Sequence, residues 1–201
     1  MLRSTPPLTL ATICTCFLTL LCADALPLVT IQTSLGDIVV EIDTVNAPVT
    51  ATNFLRYVDE GLYADALFHR VVRMDNQPTD SLRIEVIQGS MGPDRRGQGH
   101  PAIPMEGTGT TGLMHLDGTI SMARGGPDTA TSSFFICNGA QPELDEGGMR
   151  NPDGRGFAAF GRVVSGMDIV RQIQAAPTDG QTLREPVMIQ SIRRSGPAAK
   201  D

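Results

Sequence analysis

The sequence predicts a mainly β protein, a closed antiparallel β-barrel of about eight strands capped by two α-helices. Between residues 67 and 160, short apolar runs alternate with Gly, Pro, Asn and Asp, which is typical of short strands joined by turns. Apolar residues recur at helical spacing in only two places, one near each end of the folded region. Many strands with two helices favour a barrel whose openings are covered by those helices.

The β-rich region is predicted to start with a hairpin and to finish with a single strand. Residues 28–33 and 38–42 are rich in β-branched side chains and flank a Leu-Gly-Asp turn. Residues 187–192 have a similar apolar composition and form the last strand. Residues 195–201 follow it as a frayed tail.

The first helix is predicted to begin near Pro48, because proline suits a first helical turn, and Asn46 is the expected capping residue. Gly61 is expected to end this helix. The apolar residues at helical spacing are Phe54, Leu55, Val58 and Leu62.

The second helix is predicted after residues 165–168, whose sequence Ser-Gly-Met-Asp fits a capping box. Its buried stripe is expected to consist of Met167, Val170 and Ile173.

The first 25 residues are predicted to be a cleaved secretory signal peptide. Arg3 supplies a positive start, residues 8–21 are apolar, and residues 23–25 read Ala-Asp-Ala, which is a cleavage signal. The apolar segment is shorter than the ~20 residues that span a bilayer. We therefore expect a mature protein that starts at Leu26, folds as one domain over residues 26–194 and is periplasmic or secreted, without stable membrane insertion.

A lipid anchor on Cys22 is the alternative. Leu21 disfavours it, because lipid-attachment sites usually carry a small residue at that position. After signal cleavage Cys137 is the sole remaining cysteine, so its chain cannot form an internal disulfide. Because Cys137 follows the apolar sequence Phe-Phe-Ile, it is interpreted as a small buried hydrophobe and not as a nucleophile.

Two separated segments predict an apolar slot beside one cation. Residues 119–136 contain a Ser-Met-Ala strand, a Gly/Pro/Thr/Ser loop and a Phe-Phe-Ile strand, and residues 68–71 read Phe-His-Arg-Val. This combination offers no nucleophile with a base beside it and no metal-ligand spacing. Such a slot suits a reaction in which no covalent bond is made.

Together with Ile87-Gln88-Gly89 and residues 160–168, these segments resemble the cyclophilin-type peptidyl-prolyl cis/trans isomerases, of the exported bacterial type. The resemblance runs from about residue 29 to residue 192. It implies the cyclophilin barrel, acceleration of X-Pro rotation without cofactor or metal, and a monomer. The implied partners are proline-containing polypeptides that are unfolded or partly folded.

The resemblance identifies Arg70 as the catalytic residue, and the chemistry explains why an arginine is suitable. Rotation about X-Pro passes a barrier of ~18–20 kcal/mol, at whose top the nitrogen becomes pyramidal and gains a lone pair. A donor aimed at that nitrogen stabilises the transition state more than the planar ground state. Arg70 lies in an apolar strand, so its charged group must face a cleft or a partner; the alternative is a rim arginine in a salt bridge.

The resemblance also predicts a pocket that grips the proline ring. Its residues are Val86, Gln88, Ala123, Phe135, Leu144 and Phe157. Strand alternation puts Val86 and Gln88 on one face, and directs Phe134 and Phe135 to opposite faces. From periodicity alone, Phe135, Leu144 and Val86 are interpreted as core residues, and only the resemblance places Phe135 in the site.

Several positions depart from the family pattern. Glu85 and Val86 stand where the family usually has Phe-Met, Ser133 replaces a Gln, and Phe157 replaces a His. Glu143 occupies the position of a Trp associated with cyclosporin binding, so weak cyclosporin binding is expected. Whether Glu85 reaches the pocket is open.

Two insertions, residues 73–83 and 145–156, are expected beside the pocket, either as specificity loops or as tolerated decoration.

Other functions are less well supported. A proline-peptide-binding or chaperone-like module with weak turnover is the main alternative, and a hydrolase is disfavoured because no triad is recognisable. Residues 107–112 match a dinucleotide fingerprint, but the following residues 113–123 are predicted as β and not as the required helix. The net charge of −6 argues against nucleic acid, which needs clustered cations.

Overall fold

The computed structural model describes residues 25–78, 82–95 and 97–196. The predicted signal peptide, the alternative lipid site at Cys22 and most of the predicted tail lie outside these residues. The described strands are β1 (Leu28–Thr33), β2 (Gly36–Ile42), β3 (Ala66–Val72), β4 (Val86–Ser90), β5 (Thr119–Met122), β6 (Phe134–Cys137), β7 (Ala158–Ser165), β8 (Thr178–Asp179) and β9 (Thr182–Ser195). The helices are α1 (Pro48–Asp59), α2 (Thr108–Thr111) and α3 (Met167–Ala175), with 3-10 turns at Pro93–Arg95 and Pro142–Leu144.

Eight strands close into a ring in the order β1-β2-β7-β5-β6-β4-β3-β9, and β9 pairs back onto β1. Among the described strands, β8 pairs with β9 alone and lies outside the ring. All of these pairings are antiparallel. The predicted closed antiparallel barrel of about eight strands is therefore confirmed.

The barrel interior is filled by apolar side chains, and α1 covers it through Phe54. The Phe54 ring lies 5.4 Å from that of Tyr63, 5.6 Å from Phe134 and 5.0 Å from Phe160, centroid to centroid. Burial of one such ring contributes about 1.5–3 kcal/mol. All four apolar positions predicted for this helical segment belong to the same core. The helix ends at Asp59, two residues before the predicted Gly61, so Leu62 lies in the turn that follows.

The predicted cap of α1 is wrong. α1 follows Ala47, and no side chain of that residue caps it. The Asn46 amide donates instead to Asp43 Oδ2 at 2.7 Å. The first-turn N–H groups of Val49 and Thr50 donate to the Glu106 carboxylate, which comes from a distant part of the chain. A tertiary contact has thus replaced the local cap.

The predicted capping box of α3 is also wrong. Gly166 precedes the helix with φ 90°, and no side chain caps it. A Cβ on Gly166 would lie 2.3 Å from Asp37 O, so the close approach of β2 requires glycine there. The buried stripe is confirmed: Val170 and Ile173 are fully buried, and Met167 packs against them.

The sequence does not predict the helix α2. This helix is a single turn, and it lies in residues 107–112, the segment that matches the dinucleotide fingerprint. Of residues 113–123, only 119–122 form a strand, so the β prediction is too long. Within the described part of the chain, no helix is long and apolar enough to cross a membrane.

A second, smaller apolar cluster lies outside the barrel core. Its buried members are Val72, Ile84, Val86, Phe135, Cys137 and Leu144, with Ala123 and Phe157 packed against them. Cys137 is fully buried, and burial raises the pKa of its thiol. This agrees with the interpretation of Cys137 as a small hydrophobe.

Candidate active site

A cavity of about 190 Å³ opens on the outer side of β3, β4 and β6. All seven site residues predicted from the sequence line it: Arg70, Val86, Gln88, Ala123, Phe135, Leu144 and Phe157. Four further lining residues are not predicted from the sequence: Ile84, Arg124, Arg150 and Asn151. The predicted residues, which are spread over nearly ninety positions of sequence, therefore meet at one cavity.

Arg70 faces this cavity because β3 contains a β-bulge. The ladder with β4 pairs Phe68 with Gly89 and Arg70 with Gln88, so two steps along β3 match one step along β4. In a regular strand, residues two apart share a face. The bulge inverts the alternation of side chains along β3, so Phe68 stays in the core while Arg70 points to the cavity.

Two glutamine amides orient the Arg70 guanidinium. Its Nη1 donates to Gln88 Oε1 at 2.8 Å. Its Nε and Nη2 both donate to Gln181 Oε1, at 3.0 and 2.5 Å. Within the described parts of the chain no carboxylate lies within 4.0 Å of the guanidinium, so the alternative of a rim salt bridge is not supported. Burial lowers the pKa of Arg70, and the positive charge of Arg150 lowers it further.

Gln181 is a functional candidate that the sequence does not predict. It lies in the turn between β8 and β9, and its backbone oxygen accepts from Val71 N at 2.9 Å. Asn76 fixes the same turn, because its amide donates to Val71 O and Gly180 O. The sequence signal for Gln181 is weak: an arginine in an apolar strand needs acceptors, but nothing in the sequence says which residues provide them.

The apolar wall of the cavity is built on two aromatic rings. Phe135 is 4% exposed and meets Phe157 edge to face, with ring centroids 5.4 Å apart. Gln88 and Phe135 are direct partners across β4 and β6, so the amide that holds Arg70 stands next to the apolar wall. Phe134 lies in the barrel core, so the predicted division between Phe134 and Phe135 is confirmed.

Behind Phe135 the structure assembles a Ser-His-Asp chain that the sequence did not reveal. His115 Nδ1 lies 2.7 Å from Asp145 Oδ1, and its Nε2 lies 2.9 Å from Ser121 Oγ. A carboxylate only accepts, so Nδ1 donates to Asp145. Ser121 is fully buried, so no substrate carbonyl reaches it. The His115 ring stacks on Phe135 at 5.9 Å, which makes the network a support for the cavity wall.

Ile84, and not Glu85, lines the cavity. Ile84, Val86 and Gln88 alternate along the chain and share one face. The Glu85 backbone N–H donates to Gln141 Oε1 at 3.1 Å. The lining beside Val86 is therefore apolar, because Ile84 and not Glu85 faces the cavity.

The first insertion, residues 73–83, is tied to the cavity. Gln77 is 8% exposed, and its amide nitrogen donates to Arg73 O and Ile84 O, at 2.6 and 2.9 Å. Its oxygen accepts from Ile84 N at 3.2 Å. Gln77 thereby fixes Ile84, a lining residue that follows the insertion.

The second insertion, residues 145–156, contributes directly to the lining. Arg124 donates to both Asp153 oxygens, at 2.7 and 2.9 Å, and to Gly156 O. Its guanidinium carbon lies 5.1 Å from the Phe157 ring centroid. The hydrogen bonds from Arg124 lower the pKa of Asp153 to about 2. Arg150 and Asn151 of this loop reach the cavity itself.

A larger groove of about 540 Å³ lies between α1 and residues 100–103. Its Arg56 and His100 side chains are already paired, because both bind Glu60, at 3.0 and 2.7 Å. Within the described ranges no three His, Cys, Asp or Glu side chains cluster as metal ligands would. The smaller cavity at Arg70 is therefore the stronger candidate for chemistry.

Comparisons with known proteins agree with the fold and the sequence pattern. The family model for "Cyclophilin type peptidyl-prolyl cis-trans isomerase/CLD" matches residues 28–194. The chain is 33% identical over 167 residues to a peptidyl-prolyl cis-trans isomerase of Acinetobacter baylyi, covering 83% of this chain and 81% of that protein. It is 33% identical over 171 residues to peptidyl-prolyl cis-trans isomerase B of Escherichia coli, covering 82% and 98%.

Among solved structures, a cyclophilin-type isomerase from Cryptosporidium parvum matches with a TM-score of 0.67 at 23% identity, covering 86% of this chain and 99% of that one. This likeness supports the fold. The chain belongs to the cyclophilin-type peptidyl-prolyl cis-trans isomerase family, a family of isomerase enzymes.

Proposed function

We propose that this protein accelerates X-Pro rotation in exported polypeptides by stabilising the twisted amide with Arg70. The single observation that carries the proposal is the Arg70 guanidinium, which two amides hold at the edge of an apolar cavity. An arginine remains protonated and offers several donors in a plane. It therefore donates to the pyramidal nitrogen without any proton transfer.

The apolar wall contributes the rest of the mechanism. The proline ring enters against Phe135 and Phe157, which are already in contact. Apolar surroundings strengthen the interaction between a donor and the developing lone pair, because they exclude water. Binding energy from the ring thus holds the rotating bond beside Arg70. In this proposal the chain acts as a monomer, and donation by Arg70 needs neither cofactor nor metal.

The test is the isomerase activity of residues 26–201 on a proline peptide, measured by two-dimensional exchange NMR so that no helper protease is needed. We expect turnover by the wild type and a large loss in Arg70→Ala. A wild type that binds the peptide without accelerating its isomerisation would instead support the second candidate, a proline-binding module. That candidate is favoured by Arg124 and Arg150, two lining cations for which the proposed rotation mechanism has no role.

We also propose a periplasmic or secreted location, on the evidence of the first 25 residues. Mass spectrometry of the exported protein should find Leu26 as the first residue. A diacylglyceryl group on Cys22 would replace this proposal with a membrane-anchored protein.

A further inference from the structure

Arg150 enters the cavity from the second insertion, residues 145–156. Two hydrogen bonds to carbonyls outside this loop hold Arg150 in place. Its Nη1 donates to Leu82 O at 2.5 Å, and its backbone N–H donates to Glu143 O at 3.1 Å. The side chain is half-buried. Arg150 therefore faces the proposed substrate site from a defined position.

The three arginines of the cavity differ in how their charges are balanced. Asp153 neutralises Arg124 through two hydrogen bonds. Across residues 25–78, 82–95 and 97–196, no carboxylate lies within 4.0 Å of the guanidinium of Arg70 or Arg150. The positive charge of Arg150 also acts on Arg70, whose pKa is lowered first by burial and then by this repulsion.

Two like charges at one cavity interact unfavourably, and partial burial strengthens the interaction because water screens it less. The Leu82 carbonyl meets one N–H of Arg150 but does not cancel its charge. A proline ring, which is neutral, does nothing to balance this charge. A carboxylate that arrived with the substrate would attract both cations and would offer acceptors to guanidinium donors that the protein leaves without a carboxylate.

We propose that Arg150 is a specificity-determining residue, which favours substrates that carry an acidic side chain next to the proline. The inference rests on the proposed function, since the same cavity must receive the proline. The second insertion then sets the selectivity, because it adds to the cavity of Arg70 a second cation that no carboxylate pairs within the described residues. Lysine beside the proline is disfavoured by the same charge.

The experiment uses capped peptides that share one proline and differ in one neighbour: Ala, Glu or Lys, before or after the proline. Isomerisation rates come from exchange NMR, and dissociation constants come from titration of the same peptides. For the wild type we expect kcat/KM for the better Glu peptide to exceed that for its Lys counterpart by about 10-fold at low salt. In Arg150→Gln this ratio should fall to about 2 or less. Raising ionic strength should also lower the wild-type ratio, because salt screens the attraction.

Arg155→Gln is the matched control, because Arg155 belongs to the same loop, is exposed and does not line the cavity. Arg155→Gln should keep the wild-type ratio of kcat/KM between the Glu and Lys peptides. Equal rates for Glu and Lys peptides in the wild type, or an unchanged ratio in Arg150→Gln, would overturn the inference and leave the proposed function standing. Failure to turn over even the Ala peptide would overturn the proposed function, and the dissociation constants would still test the charge preference.

Discussion

Phe68 and Arg70 are two positions apart on β3 and nevertheless face opposite sides of the sheet. Phe68 is fully buried in the barrel core, where its ring lies 5.9 Å from that of Phe134. Arg70 lines the outer cavity. The register shift between them produces this inversion, and it occurs against both β4 and β9. The bulge thus lets one short strand serve both the core and the candidate active site.

Replacing Arg70 by alanine should lower kcat/KM by about 10²–10³, since one oriented donor in a dry site contributes roughly 2.7–4 kcal/mol. Arg70→Lys should recover little, because an ammonium group does not reproduce the planar set of donors. Thermal unfolding should change little in either variant, because the side chain is half-exposed and lies outside both apolar clusters. Exchange NMR on a proline peptide and a melting curve supply the two measurements. Near wild-type turnover in Arg70→Ala would rule out the proposed mechanism.

Strand alternation made much of the site predictable. Val86 and Gln88 share a face, and Phe134 and Phe135 do not, as a period of two requires. The role of Phe135 needed more than alternation, because a buried Phe on either face satisfies the same pattern. Only the resemblance to the family distinguished the cavity wall from the core.

Long-range contacts were not predictable from local pattern. The bulge of β3 depends on pairing with Gly89 and Thr182, neither of which is close in sequence. Gln181 reaches Arg70 across 111 positions. The predicted caps of α1 and α3 are wrong for the same reason. The Glu106 carboxylate accepts from the first turn of α1, and the close approach of Asp37 O requires glycine before α3; both residues are distant in sequence from the helix they affect.

Phe135→Ala should remove both activity and stability, unlike the change at Arg70. The ring is 4% exposed, so its loss leaves a cavity that costs about 3–5 kcal/mol in the free energy of unfolding. It also removes the wall that is proposed to grip the proline. Chemical denaturation and exchange NMR at low temperature measure the two effects. Phe54→Leu, a change in the remote core, should lower stability while leaving the activity of the folded fraction near wild type; equal losses of activity in both variants would remove the special role of Phe135.

Protonation of Asp153 in acid should weaken the contact between the second insertion and Arg124. Hydrogen bonds from Arg124 lower the pKa of Asp153 from the ordinary 3.8 to about 2. A carboxylate whose pKa is lower in the folded state than in the unfolded state stabilises the fold. This stabilisation is complete when the pH lies above the unfolded-state pKa, and it disappears as the pH falls from about 4 towards 2. The difference in melting temperature between wild type and Asp153→Asn, followed by circular dichroism, should therefore shrink across this range. A difference that stays constant with pH would contradict the assignment to Asp153.

Cyclosporin should bind this protein weakly, because Glu143 stands where the resemblance places an aromatic residue. In the structure Glu143 Oε2 accepts from Met149 N at 3.4 Å, beside the second insertion. Glu143→Trp should tighten binding by roughly 3- to 10-fold through the added aromatic contact. Isothermal titration measures both affinities. Nanomolar binding by the wild type would show that this loop is wrongly aligned with the family.

Gln181 should act on catalysis only through Arg70. Its Oε1 accepts from Nε and Nη2 of Arg70, and it does not line the cavity. Gln181→Ala should therefore lower kcat by about 10-fold with little change in KM, because the guanidinium loses its orientation while the proline wall remains. The backbone bond from Val71 N to Gln181 O survives this change, so the turn should persist.

The double variant separates positioning from independent action. In the Arg70→Ala background no guanidinium remains to be oriented, so adding Gln181→Ala should cost less than about 2-fold, and the two effects should be strongly non-additive. Gln172→Ala, at an exposed glutamine of α3, is the control and should leave both backgrounds unchanged. A 10-fold loss in both backgrounds would mean that Gln181 contributes by another route, and the amide support of Arg70 would then be structural without catalytic consequence.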